Sequence, residues 1–250
     1  MNGNNANGTK KVRAMAHIHT SNSWDCRMTP ARLVNLLVKH DIGLAVISDH
    51  DSYQGSIDCR RIINEHRLPI RVPIAAEVRT HWGDVVVIFD PNGPPPPPIK
   101  DLLDFNELHQ RVRDTGGLVW LPHPYEGHKH IDELATEADM IEVFNSRCTD
   151  QENRLAEMLC RNHAKMAVYG ADAHRPSEVG NCIAAYNDRI DILETLRHPP
   201  EPVTLINTPR SSMMASRATN GFKNRRPLVV GYQSMRWAQN RAKETERPGS

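Results

Sequence analysis

Leu44-Ala45-Val46-Ile47-Ser48-Asp49-His50-Asp51 sets four apolar residues before three ionisable ones, with only Ser48 between them. A short apolar run of this kind reads as a buried strand of a parallel sheet, and the abrupt change of character marks the strand's end. Asp49 and Asp51 flank His50, and like charges crowded together cost energy unless a cation or hydrogen-bond donors offset them. Two readings therefore stand at this strand end: a bound metal ion, or a turn in which the aspartates accept from backbone amides.

The same juxtaposition recurs along the chain. His17-Ile18-His19 closes an apolar stretch, and alternate residues of a strand face one side, so both imidazoles can reach one ion. Asp25 follows in the polar loop Thr20-Ser21-Asn22-Ser23-Trp24-Asp25. Glu77 ends Val72-Pro73-Ile74-Ala75-Ala76, and a carboxylate there can bridge two ions. His123 lies between Pro122 and Pro124 after Leu118-Val119-Trp120-Leu121, where the flanking rings restrict its backbone. Asp172 and His174 follow Met166-Ala167-Val168-Tyr169. Each motif alone also fits half-buried histidines or an ordinary surface acid; it is their recurrence at strand ends that points to a multi-metal hydrolytic site. In a barrel of parallel strands the C-terminal strand ends converge on one face, so separation in sequence is no obstacle.

Strand-like runs near 12–18, 44–48, 70–77, 84–89, 118–122, 139–144, 166–170 and 182–186 alternate with helical segments, as in repeated βαβ units. The first helix is signalled by Thr29 as cap, Pro30 in the first turn, and an apolar stripe of Leu33, Val34, Leu36, Leu37 and Val38. Further helices are expected over 56–66, 101–114, 150–163 and 189–197, with Gly116-Gly117 as a stop. Histidines 40, 66, 109, 163 and 198 fall in or near helix ends, where a solvated imidazole is ordinary.

Composition frames the rest. The 250 residues are 39% hydrophobic, with a mean hydropathy of -0.56, which suits one soluble domain or one domain plus a tail. A net charge of +1 gives no global reason to expect nucleic acid or an anionic membrane as partner. The five cysteines, 26, 59, 148, 160 and 182, form no C-x-x-C pair, which argues against a disulfide framework and against a structural zinc site, and for a reducing, cytoplasmic setting. The polar start lacks the apolar segment of a signal peptide, and no apolar run is long enough to span a bilayer. We therefore expect a flexible segment over 1–11, a barrel domain over 12–206, and a basic arm over 207–250 that holds only Glu244 and Glu246 against many Lys and Arg. The prolines of 91–98 suit a stiff connector in extended conformation, with a docking site for a proline-reading domain as the other reading.

Taken together, His17-Ile18-His19-Thr20, Ser23-Trp24-Asp25, Ser48-Asp49-His50-Asp51, Glu77, His123-Pro124, Ile141-Glu142-Val143-Phe144-Asn145 and Asp172-Ala173-His174 resemble the small stand-alone members of the PHP superfamily, the polymerase and histidinol phosphatase group of metal-dependent phosphoesterases. The resemblance spans about residues 12–200. It implies an α/β fold, a distorted seven-stranded (β/α) TIM-like barrel, with two to three divalent ions at the C-terminal strand ends. It further implies that His17, His19, Glu77 and Asp172 hold one ion, Glu77 and His123 help hold a second, and Asp25, His50 and His174 hold a third. Many relatives carry a histidine seven residues after the bridging glutamate; here Asp84 stands there, with His81 nearby. Asp84 either ligates through oxygen, favouring harder ions such as Mn²⁺ or Mg²⁺, or leaves the second site weak.

Mixed imidazole and carboxylate ligands suit Zn²⁺, Mn²⁺ or Fe²⁺ and leave positions for water and substrate oxygens. The expected activity is hydrolysis of a phosphomonoester or short nucleotide phosphodiester by metal-activated water, with no single protein nucleophile. Arg147, Arg175, Arg79 and Lys129 are the candidate phosphate-binding cations, each of which also fits a surface ion pair. Expected partners are a small phosphorylated metabolite, a nucleotide or a short oligonucleotide, and no membrane. The alternative from another class is a catalytically silent, metal-stabilised scaffold or partner-binding module.

Overall fold

The computed structural model describes residues 10–99 and 104–214. Most of the basic arm, from residue 215 on, lies outside the described residues, as do 1–9 and 100–103. The described chain through Thr208 belongs to one compact unit; of a second unit that begins at Pro209, only the residues through Met214 are described.

The strands follow the apolar runs. They are β1 (Lys11–Ile18), β2 (Leu44–Ile47), β3 (Ile74–Thr80), β4 (Gly83–Phe89), β5 (Leu118–Leu121), β6 (Met140–Asn145), β7 (Met166–Gly170), β8 (Cys182–Asn187) and β9 (Glu201–Leu205). Among the described residues six α-helices intervene: α1 (Pro30–Lys39), α2 (Gln54–Glu65), α3 (Phe105–Asp114), α4 (Ile131–Glu137), α5 (Asp150–Asn162) and α6 (Ile192–Leu196). Thr29 caps α1 through its side chain, which accepts from the Arg32 amide, and Asp104 caps α3 likewise from Glu107. Thr149 and Glu152 form a reciprocal capping box on α5.

The strands form two sheets, ordered β2-β1-β8-β9 and β3-β4-β5-β6-β7. This corrects the expectation of one closed barrel of parallel strands. The β1–β2, β5–β6 and β6–β7 pairs are parallel, whereas β4 runs antiparallel to both β3 and β5, and β8 to both β1 and β9. The reason is connection length: only His81 and Trp82 separate β3 from β4, which permits a hairpin and no crossover. The sheets meet through isolated bridges, Ile18 with Ala173 on one side and Leu44 with Arg71 and His50 with Glu77 on the other.

Both sheets turn apolar side chains toward a common interior. Ala14, Ala16, Leu44, Val46, Ala75, Val86, Ile88, Trp120, Met140 and Val168 pack there as one cluster. The opposite faces are covered by helices: Leu33, Val34, Leu37 and Cys59 from α1 and α2 lie against Met15, Ile18 and Ile47, and Phe105, Leu108, Val112 and Leu159 from α3 and α5 lie against β3 to β6. Among the described residues no helix is long and apolar enough to cross a membrane. The proline segment joins no helix or strand; the Tyr53 hydroxyl donates to the Pro97 carbonyl at 3.2 Å.

Candidate metal centre

The interior cluster ends beneath a group of buried imidazoles and carboxylates, with the Trp120 ring edge-on to His17 at 6.2 Å. His17 reaches this position through a local distortion. Ala14 and Ala16 face the interior while Met15 faces the helices, so strict alternation would send His17 outward. Instead the β1–β2 register shifts between Ala16 and Ile18, and His17 takes a left-handed backbone, φ 59°. The bulge turns both His17 and His19 to the interior. His123 (φ 25°) and Asp172 (φ 47°) share the positive-φ region, which costs about 1–3 kcal/mol for each non-glycine residue and persists where surrounding contacts enforce it.

Glu77 sits at the centre. Its Oε2 lies 3.3 Å from His17 Nε2, 3.4 Å from His19 Nε2 and 3.3 Å from His50 Nδ1, while Oε1 lies 2.9 Å from His123 Nε2. Asp172 Oδ1 approaches His19 Nε2 at 3.5 Å and His174 Nδ1 at 3.2 Å. Asp25 Oδ2 lies 2.7 Å from His174 Nε2 and 3.3 Å from His50 Nε2. Ligand-capable atoms come within 4.8 Å of one another in four overlapping groups: His17, His19 and Glu77; His17, His123 and Asp172; His19, Asp25, His50 and His174; and His50, Glu77 and Asp84. Every candidate ligand read from the sequence thus converges on one place.

The site's electrostatics show how much positive charge the acids draw. Burial alone would lower the His50 imidazole, but Glu77 and Asp25 raise it to about 10; the hydrogen bond and charge of Glu77 raise His123 against burial to about 10. Asp25 likewise lifts buried His174 to about 9. Burial opposes ionisation of Glu77, Asp25 and Asp172, yet the surrounding imidazoles hold all three well below the usual carboxylate range. His19 goes the other way, lowered to about 3 by burial and by His174 and His50. It is fully buried, and neither of its ring nitrogens completes a hydrogen bond among the described residues. An imidazole that is dry on both nitrogens beside two carboxylates is costly as it stands and suits a cation held between them. The donor set therefore fits divalent metal.

The flanking aspartates of the opening motif take the turn reading instead. Asp49 accepts from the Thr20 amide and hydroxyl, and Asp51 accepts from the Arg79 amide at 2.8 Å. Backbone and hydroxyl donors offset the Asp49 and Asp51 charges, with the Arg79 guanidinium adding to Asp51, and His50 alone of the three enters the site. Of the four candidate cations, Arg147 is mostly buried, its side chain 10% exposed, with Nη1 against His174 Nδ1 and 3.9 Å from Asp172. Arg79 is about half exposed, with its guanidinium over Trp24 and Nε 3.4 Å from Asp84. Arg175 is half-buried, and Lys129 and His81 are exposed.

Two supporting groups escaped the sequence reading. Glu142 entered only as part of a family-like string, yet it is buried and accepts from His17 Nδ1 at 2.9 Å, the His123 amide at 2.7 Å and Asn145 Nδ2 at 2.9 Å. A charged residue in the middle of the apolar run Met140–Phe144 was the available signal. Cys26 donates through sulfur to the carbonyls of His19 and His174, tying two ligand-bearing segments together; a lone thiol in a polar loop carries no such signal.

Comparison with known proteins bears on the fold. The PHP-associated family profile matches residues 150–198. An uncharacterized protein of Methanocaldococcus jannaschii is 27% identical over 184 residues, 69% of each chain. A two-domain protein from Bacteroides vulgatus, containing a predicted PHP-like metal-dependent phosphoesterase, shares the fold with a TM-score of 0.63 at 15% identity, over 78% of this chain and 65% of that one. The lesion-specific endonuclease Q of Pyrococcus furiosus shares it with a TM-score of 0.53 at 15% identity, over 77% and 58%. The profile match ties residues 150–198 to PHP-associated sequences, and the solved structures share this chain's α/β fold.

Proposed function

We propose that this chain is a metal-dependent phosphoesterase that hydrolyses a phosphomonoester or a short nucleotide phosphodiester. The observation that carries the reading is Glu77, one buried carboxylate within 3.4 Å of four imidazoles that arrive from three separate segments. A structural ion seldom needs so many donors, which favours catalysis over a silent scaffold.

In this reading His17, His19, Glu77 and Asp172 hold one ion, Glu77 and His123 with Asp84 a second, and Asp25, His50 and His174 a third; Mn²⁺, Zn²⁺ and Fe²⁺ suit the donors. Bound ions of this kind supply an ionised water and the positive charge that offsets phosphoryl oxygens as the bond breaks. The chain's own part is to fix the donors. Glu142 holds the His17 ring and the His123 backbone, and Asp49 anchors the loop after His19 through Thr20. Arg147, with its guanidinium beside Asp172 and His174, is the best-placed side chain to receive a phosphoryl oxygen, with Arg79 and Arg175 further out and Lys129 on the surface.

The test is to measure metals in the purified chain and then assay nucleotides, nucleoside bisphosphates, sugar phosphates and short oligonucleotides with Mn²⁺ supplied. His50→Ala and Asp172→Ala should each lower turnover of the best substrate more than ~100-fold while circular dichroism stays unchanged. Parental rates in both variants would refute the site. The basic arm is addressed by ending the chain after Met214, because Thr208 is buried and bonded to Ser146 and belongs to the domain. Selective loss of activity on oligonucleotides would assign strand binding to the arm.

A further inference from the structure

We infer that His128 is an additional metal ligand of this centre, presenting Nδ1 on the His123 side of the cluster. The inference rests on the reading above that the site binds divalent ions.

The tautomer follows from the partner. His128 Nε2 lies 2.7 Å from the Asp84 main-chain oxygen, which can only accept, so Nε2 carries the proton and Nδ1 of the neutral ring keeps its lone pair. That Nδ1 is buried and has no hydrogen-bond partner among the described residues. A ring that gives one N–H to a backbone carbonyl and keeps a bare, dry nitrogen free has the usual arrangement of a metal-bound histidine. Its neighbour fits as well: the His123 ring lies 5.5 Å away between centroids, and His123 Nδ1 is also buried without a partner.

The ring is held in place before any ion arrives. It packs on Gly83, where an added Cβ would come within 2.3 Å of His128 Cδ2, and the glycine's φ of +139° disfavours any side chain. The next residue, Lys129, donates its amide to the Trp82 carbonyl at 2.6 Å, fixing the 126–130 loop to the β3–β4 turn. The same turn carries Asp84, whose carboxylate falls in the group with His50 and Glu77. One hairpin end therefore carries an oxygen of the centre and also grips the His128 ring, which lies beside His123.

The experiment uses the full chain, stripped with a chelator and titrated with Mn²⁺ by calorimetry and with Co²⁺ by visible absorption, in the parental protein and in His128→Gln. Glutamine can still donate to the Asp84 carbonyl but lacks the ring lone pair. The expected result is that one ion binds His128→Gln at least ~10-fold more weakly, with an altered Co²⁺ spectrum and an unchanged melting temperature of the stripped protein. Equal stoichiometry, affinities and spectra would overturn the assignment while leaving the metal centre intact, whereas a parental chain that binds no ion would overturn the reading beneath it. Should His128→Gln fail to fold, the His128 ring protons in the Co²⁺-loaded parental chain decide: hyperfine-shifted resonances support ligation, and resonances at diamagnetic positions refute it.

Discussion

Glu142 shows how one buried charge organises its neighbours without being a ligand in any of the four groups. It accepts from His17 Nδ1, which leaves His17 Nε2 directed at Glu77 and Asp172. It also accepts from the His123 amide, at a residue whose backbone would not otherwise favour positive φ. Space for the carboxylate comes from Gly170, where a Cβ would lie 1.6 Å from Glu142 Oε1. Groups that orient metal-bound histidines typically contribute 10- to 100-fold in affinity. Glu142→Gln should therefore weaken Mn²⁺ binding by roughly that factor, measured by competition with a chromophoric chelator; parental affinity would reduce Glu142 to a packing role. At this scale the sequence was informative about ligands and poor about their supports. Histidines and acids at strand ends announce themselves, but Glu142, His128 and Cys26 acquire their roles only from contacts with residues distant in the chain.

Among the elements, those whose signals are local were legible. The cap at Thr29 with Pro30, the apolar runs of β1 to β8, and the helix from residue 150 could all be read because each rests on neighbouring residues alone. Strand direction was not read correctly, although a cue existed: the expected strands at 70–77 and 84–89 left too few residues for a crossover, and the β3–β4 turn is shorter still. The bulge at His17 was hidden too, since the residue that breaks the alternation is itself a candidate ligand, and a simple period of two brought His17 and His19 together without showing how. The short α4 and the edge strand β9 lacked a strong periodic pattern. The α5 helix allows a clean test of element against site. Thr149 accepts from the Glu152 amide while the Glu152 carboxylate accepts from the Thr149 amide and hydroxyl. Thr149→Ala should cost about 1 kcal/mol of stability by urea denaturation and leave metal affinity unchanged; a change in affinity would mean that α5 transmits strain to Asn145, which Asn153 holds through the Asn145 amide and carbonyl.

For the molecule as a whole, the centre makes stability depend on what supplies its positive charge. Without metal, protons on the imidazoles do so. His50 and His123 are held up to about 10 in the folded chain against 6.5 for the free side chain, so the folded state binds more protons between those values. Their contribution is fully present below pH 6.5 and is lost as pH rises toward 10. Asp25, Glu77 and Asp172, all held low, contribute above the ordinary carboxylate range and lose that contribution on acidification. His19, lowered to about 3, adds to the same acid limb, because the unfolded chain takes up its proton below 6.5. The chelated protein should thus be most stable near neutrality and melt at progressively lower temperature from pH 6.5 to 8.5. A divalent ion reverses the alkaline trend, since it replaces those protons in the folded state and competes with them ever more successfully as pH rises. Melting temperatures across that range, with chelator and with saturating Mn²⁺, should diverge steadily. Parallel curves would mean that imidazole protons and metal do not exchange for one another, and that the positive charge these acids attract resides elsewhere.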